Sequence, residues 1–282
     1  MRPFGRVFRC IPLLASYSLR LGATERPLFF IAVVWRFKES TMAEEKSQIK
    51  SKERVRERGE VFTAEREVNA MLDLVKDETE RIDSTFLEPA CGDGNFLAEI
   101  LRRKLTVCER VYGKSAADYE KYSFYACTSI YGVDIMADNV ARCRERLFDI
   151  WESKFSPRLR TDFHDKVAAS VRAVLGKNIL LGNALSMKLV DERGNDLDKP
   201  IVFTEWKFAL GDKIKRAEFR FDVLLEKGEA KGAASEMLFD FMDDTSSSVN
   251  WMVDPDDPER KRMIPAPTKE YPPIDYWRIG DE

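Results

Sequence analysis

The chain has one histidine, His164, and no two cysteines at C-x-x-C spacing. A histidine-rich metal site is therefore excluded, and a Ser-His-Asp or Cys-His hydrolase is disfavoured. His164 sits in the polar run Thr161–Asp165 and reads as a surface or helix-start residue. The five cysteines (Cys10, Cys91, Cys108, Cys127, Cys143) are odd in number. They argue for a reducing, cytoplasmic setting and against a disulfide framework or structural zinc, so no metal is expected. The apolar run Leu28–Trp35 is about half of what a membrane span needs, and Arg20, Arg26 and Pro27 interrupt any longer one, so no membrane partner is expected. Net charge is only −3, which leaves no global basic signal for nucleic acid. There is no G-K-[ST] after a glycine loop and no third glycine after Gly92-Asp93-Gly94, which disfavours a P-loop and a dinucleotide fingerprint.

The 282 residues suffice for one sizeable α/β domain with additions. Residues 1–41 stand apart, with seven Lys/Arg against two Asp/Glu. One reading is a transit peptide. The plainer one is a non-native or disordered extension, with translation starting at Met42. Residues 226–282 carry fourteen acidic and seven basic residues and many prolines, and are expected as an irregular tail. Residues 42–225 are expected to form the domain.

Within that domain, strand and helix signals alternate. Thr85–Glu88 reads as a short buried strand, followed by a turn at Pro89–Gly94 and a helix whose apolar residues begin at Phe96 and Leu97, with Asn95 available as a cap. Upstream, Thr63 can cap a helix carrying Val68, Met71, Leu72 and Val75 on one stripe. Downstream come a helix over 118–129, a strand Ile130–Val133 closed by Asp134, helices over 137–151 and 162–175, and a strand over 178–181 followed by Gly182-Asn183-Ala184. Further strand signals lie at 201–204 and 219–225. The alternation implies a mainly parallel sheet with helices on both faces, whose ligand sits at the carboxyl ends of the strands. Three such ends carry the glycine loop, Asp134 and Asn183. Glycine admits close backbone approach, an acid accepts ribose hydroxyls, and a short polar residue reads an adenine edge. Together they suit a nucleoside without phosphate. Each has a plainer reading: Phe62 as a hydrophobic staple, Ile135 as core, Asn183 as a turn residue.

Phe62-Thr63, Glu88-Pro89-Ala90-Cys91-Gly92-Asp93-Gly94-Asn95-Phe96, Gly132-Val133-Asp134-Ile135 and Gly182-Asn183-Ala184-Leu185 resemble successive motifs of bacterial S-adenosylmethionine-dependent adenine-N6 DNA methyltransferases of restriction–modification systems. The resemblance covers about residues 50–225. It implies a Rossmann-like class I methyltransferase fold, S-adenosylmethionine as cofactor, DNA as substrate, and a partner subunit for target recognition. It also implies roles. Phe62 and Thr63 would cover the methionine end, Glu88, Ala90, Gly92 and Gly94 would line the pocket floor, and Pro89, Cys91 and Asn95 would also belong to the cofactor site. Asp134 would hold the ribose, Ile135 would pack on the adenine, Asn183 would contact its amino group, and Ala184 would also belong to the cofactor site. One departure stands out: the family's Asn-Pro-Pro-Tyr occurs nowhere. Phe221–Leu225 best matches the fourth strand, and Lys227, Gly228, Glu229 and Ala230 stand where the tetrapeptide would be. Two readings follow, a DNA methyltransferase or modification subunit, and a cofactor-binding subunit without a target-base site. A third, lesser one is a methyltransferase for RNA or a small molecule.

Overall fold

The computed structural model describes residues 19–20, 27–30, 63–226, 251–253 and 263–282. Phe62 and Lys227–Ala230 lie outside them, as does much of 1–62 and 226–262.

The fold is α/β with a mixed sheet, consistent with a Rossmann-like arrangement. Strands β1 (Leu19–Arg20), β2 (Pro27–Phe30), β3 (Thr85–Glu88), β4 (Ile130–Asp134), β5 (Ile179–Asn183), β6 (Lys188–Val190) and β7 (Asp196–Pro200) lie side by side in chain order. From β2 to β5 neighbours are parallel, with Phe29 opposite Phe86, Glu88 opposite Gly132, and Asp134 opposite Leu181. β1, β6 and β7 add antiparallel margins. Two stretches of the 1–41 segment, expected as an extension outside the fold, are thus strands here, and β2 pairs with β3. Pro27 takes the first position of its strand, where a missing donor does least harm.

Helices α1 (Glu65–Leu72), α2 (Lys76–Thr79), α3 (Asn95–Tyr112), α4 (Ala116–Thr128), α5 (Ala137–Glu152), α6 (His164–Asn178) and α7 (Phe221–Glu226) complete the main body. Both faces of the parallel strands are covered. On one face Gly132 leaves room for α3: a Cβ there would stand 2.9 Å from both Leu97 Cδ1 and Cys91 Sγ. On the other, Tyr131 donates to the Thr204 carbonyl at 2.7 Å and meets Phe203 edge-on at 5.5 Å. These partners belong to a second sheet of β8 (Val202–Phe208), β9 (Lys213–Arg220) and β12 (Lys269–Asp275). Tyr125 of α4 packs edge-on against Phe208 of that sheet. A short hairpin pairs β10 (Trp251–Val253) with β11 (Met263–Pro265).

Several expectations need correction. Phe221–Leu225 is helical, not a fourth strand. Asp222 decides it: its Oδ1 accepts the Val223 N–H at 2.9 Å and the Arg220 guanidinium holds its carboxylate, fixing a helix start directly after β9. Arg220 and this turn hold the Asp222 carboxyl below its usual range. Residues 263–282 are not irregular either. β12 runs antiparallel to β9, and its register shifts between Tyr271 and Ile274, at Pro272-Pro273. An edge strand tolerates prolines that a central one would not. The chain then closes in a 3₁₀ helix, Tyr276–Asp281, whose Gly280 N–H donates to Ser170 Oγ of α6. Buried Arg216 grips Glu282 through both carboxylate oxygens, Nη2 to Oε1 at 2.8 Å. The N-cap of α1 is Ala64 rather than Thr63, and α3 starts on Gly94 in a left-handed turn, with Asn95 already its first residue.

His164 is the largest surprise in the core. It opens α6 as a helix-start residue, yet it is buried. Its ring stacks on Trp151 at 5.5 Å, Nδ1 lies 2.6 Å from Glu120 Oε1, and Nε2 lies 3.3 Å from Glu152 Oε2. Glu120 also takes the Thr161 hydroxyl, and Glu152 takes Arg160. The polar run around His164 suggests exposure because the partners that bury it come from α4 and α5, far away in sequence.

Candidate functional site: the glycine loop and Asp134

Three parallel strands deliver the candidate residues to one edge. Glu88 ends β3, Asp134 ends β4 and Asn183 ends β5. The loop after β3 is tied to the end of β4 by two bonds. Cys91 N–H donates to the Val133 carbonyl at 2.9 Å, and Gly92 N–H donates to Asp134 Oδ2 at 2.9 Å. Asp134 is buried and its Oδ1 accepts Met136 N–H at 2.8 Å and Asn139 Nδ2 at 3.3 Å. One carboxylate therefore sets both the glycine loop and the start of α5.

Gly92 and Gly94 have φ of +54° and +86°, a region that side-chain-bearing residues rarely enter. Space is the second constraint: a Cβ at Gly94 would lie 2.6 Å from Cys143 Sγ. Gly94→Ala is therefore expected to cost about 2–4 kcal/mol, from the left-handed turn and overpacking together. Denaturant unfolding measures it, and unchanged stability would contradict the packing described.

α3 begins without a side-chain cap and with no acidic residue in its first turn. Its first N–H groups and the positive end of its dipole therefore remain suited to an anionic ligand group. Asn95 uses its side chain elsewhere. Nδ2 donates to the Thr63 carbonyl at 3.1 Å, and Oδ1 accepts from Arg146 at 2.7 Å. This bond draws the residue after Phe62 onto the loop, although 32 positions separate it from Asn95.

Glu88 is the chemically unusual member. It is buried, and its Oε2 has no hydrogen-bond partner among the described residues. Burial, reinforced by Cys143, Asp134 and Asp93, pushes its carboxyl well above the usual carboxylate range. Beneath the loop the Cys91 thiol is also pushed up, first by its hydrogen bond with Cys143 and then by burial, which makes it a packing group rather than a nucleophile.

The remaining candidates are less drawn in. Pro89 and Ile135 are half-buried and Ala90 is exposed. Asn183 uses both ends of its amide locally: Oδ1 accepts Leu185 N–H and Nδ2 donates to Asp196 Oδ1, each at 3.0 Å. The hairpin of β6 and β7 thus engages Asn183 as a turn residue, with Ala184 beside it. Neither hairpin strand was anticipated from the sequence. Asp196 was missed with them, since its run Asp196–Pro200 is too polar to read as a strand.

A separate polar groove of about 1190 Å³ runs between α3 and α5, lined by Asp93, Asn95, Arg103, Arg142, Arg146 and Lys154 among others. Glu88, Gly92 and Asp134 do not line it, so it abuts the loop from outside and is not the site at the strand ends. Among the described residues no group of His, Cys, Asp and Glu could hold a metal ion, and no helix is long and apolar enough to cross a membrane.

Comparison with known proteins finds no matching protein-family model, no similar curated protein and no matching solved structure.

Proposed function

We propose that this chain binds S-adenosylmethionine at the glycine loop and Asp134, on a class I methyltransferase fold, and serves cytoplasmic adenine-N6 methylation of DNA. The observation that carries the reading is the bond from Gly92 N–H to Asp134 Oδ2, which couples the loop after one parallel strand to the acid ending the next. The motif resemblance supplies the identity of the ligand. The site's chemistry fits it. A nucleoside joined to an amino acid needs an acid for the ribose, close backbone approach and a helix start for a carboxylate. Its cationic end suits the buried Glu88 Oε2, which has no hydrogen-bond partner among the described residues.

In this reading Asp134 orients the ribose, and the turn at Gly92 and Gly94 lets the backbone reach the ligand. Thr63, held by Asn95, closes the methionine end. S-adenosylmethionine supplies an electrophilic methyl. Held by Asp134, the Gly92–Gly94 turn and Thr63, the group would supply a methyl to the adenine amine, leaving as a neutral thioether while the amine's extra proton would pass to solvent. No metal enters. The protein contributes positioning and exclusion of water.

A second reading has its own support. The sequence contains no Asn-Pro-Pro-Tyr, and the segment matched to the fourth strand is the helix α7. A cofactor-binding subunit that relies on a partner for target base and recognition would show these features. Transfer of labelled methyl from S-adenosylmethionine to unmethylated DNA separates the two. Incorporation by the chain alone supports the enzyme. Cofactor binding without incorporation, repaired only by a partner subunit, supports the second.

A further inference from the structure

Glu88 is costly as it stands. Its carboxyl is buried at the end of β3, and Oε2 meets no donor among the described residues. Among the described residues, the groups whose charge acts on it are acids and thiols: Asp134 from the end of β4, Cys91 and Asp93 from the loop, and Cys143 from α5. The arginines of α5 on this side are engaged elsewhere: Arg146 with Asp93 and Asn95, and Arg144, whose charge acts on Cys91 and Cys143, with the Ile179 and Gly176 carbonyls. After the loop α3 opens with an uncapped first turn, which favours negative charge on a ligand. A buried acid in such surroundings is kept neutral by its proton.

We propose that Glu88 is a proton-for-cation exchanger: the free protein holds a proton on this carboxyl, and a ligand that brings positive charge to the end of β3 displaces it. This rests on the cofactor reading above and adds to it. The ligand class is an onium-bearing nucleoside, with the charge on an ammonium or a sulfonium group. The exchange balances: one O–H bond of Glu88 breaks, the proton leaves to solvent, and the ligand's cation pairs with the resulting carboxylate. Neutral analogues gain nothing from the site, so the same residue selects for charge. Affinity for a cationic ligand then rises with pH, up to tenfold per unit, for as long as pH stays below the carboxyl's free-state value.

The test is calorimetric titration of the full chain, run in buffers of different ionisation enthalpy at a series of pH values from the usual carboxylate range upward. Three probes separate the charges. S-adenosylmethionine has both cations, S-adenosylhomocysteine has the ammonium alone, and 5′-methylthioadenosine has neither. The expected result is proton release with S-adenosylmethionine and none with 5′-methylthioadenosine. Release with S-adenosylhomocysteine assigns the exchange to the ammonium, and its absence assigns it to the sulfonium. Glu88→Gln is expected to bind with no proton release and a flat pH profile. If that variant does not fold, the comparison of probes on the native chain decides. Binding of S-adenosylmethionine without proton release, or equal release with 5′-methylthioadenosine, overturns the exchange and leaves the cofactor reading standing. Absence of binding by all three overturns both.

Discussion

Asp134→Ala is expected to abolish S-adenosylmethionine binding, with a loss of at least about a hundredfold in affinity. Two hydrogen bonds from ribose hydroxyls to a charged acceptor are worth about 1.5–3 kcal/mol each, which sets that scale. The substitution also acts on the protein. Gly92 N–H and Met136 N–H both donate to this carboxylate, and Asn139 adds a third bond. A buried donor left without a partner costs about 1–3 kcal/mol, so the variant should also unfold at clearly lower denaturant. Asp134→Asn separates the two effects. It keeps the volume and one acceptor but loses the charge, so it should stay better folded and still bind poorly. Calorimetry paired with denaturant unfolding makes the measurement. A folded variant with native affinity would refute the ribose role.

Stability should rise with pH above neutrality, and Lys104 is the reason. Its side chain is fully buried in α3, next to the amino ends of β3 and β4. Nζ donates to the Ile82 carbonyl at 3.1 Å, to the Ser84 carbonyl and to Ser129 Oγ at 2.6 Å, and sits over the Phe86 ring at 5.2 Å. All of these partners are neutral. Burial, only partly offset by more distant Asp83, lowers the amine from 10.5 to about 7. Below the folded-state value both folded and unfolded chains hold the proton, and the folded chain carries the whole penalty, about 5 kcal/mol. Between about 7 and 10.5 the unfolded chain binds one proton more, so stability climbs with pH; above 10.5 the penalty is gone. From pH 7 to pH 9 the gain from this group is about 2 kcal/mol. Lys104→Met removes the titration and should flatten that slope, although it strands two carbonyls and a hydroxyl and so lowers stability overall. Equal slopes in both proteins would show that Lys104 is charged and well accommodated at pH 9.

The parts of the fold legible in the sequence are those fixed by local signals. Thr85–Glu88 and Ile130–Asp134 stand as strands because a short apolar run ends in a proline–glycine turn or an acid. α5 stands because Val140, Cys143 and Leu147 recur at helical spacing. What could not be read depends on distant partners. Lys104 and His164 look like ordinary polar residues until the elements that bury them are in place. β12 reads as tail because its prolines rule out a central strand, and nothing local says that β9 offers an edge. Phe221–Leu225 has apolar residues that suit either strand or helix, and the balance rests on Asp222 with Arg220. The glycine loop and Asp134 were visible as types and spacing, but the bond joining them was not. Asn183 shows the converse: its place at a strand end was legible, whereas its engagement by Asp196 depends on a polar hairpin that carries no strand signal.

The proposed function turns on whether the loop and Asp134 hold the cofactor, and calorimetric titration with S-adenosylmethionine asks this most directly. The expected result is saturable binding at one site per chain, lost in a folded Asp134 variant. No detectable binding at about millimolar ligand, a free energy weaker than about −4 kcal/mol, would contradict it.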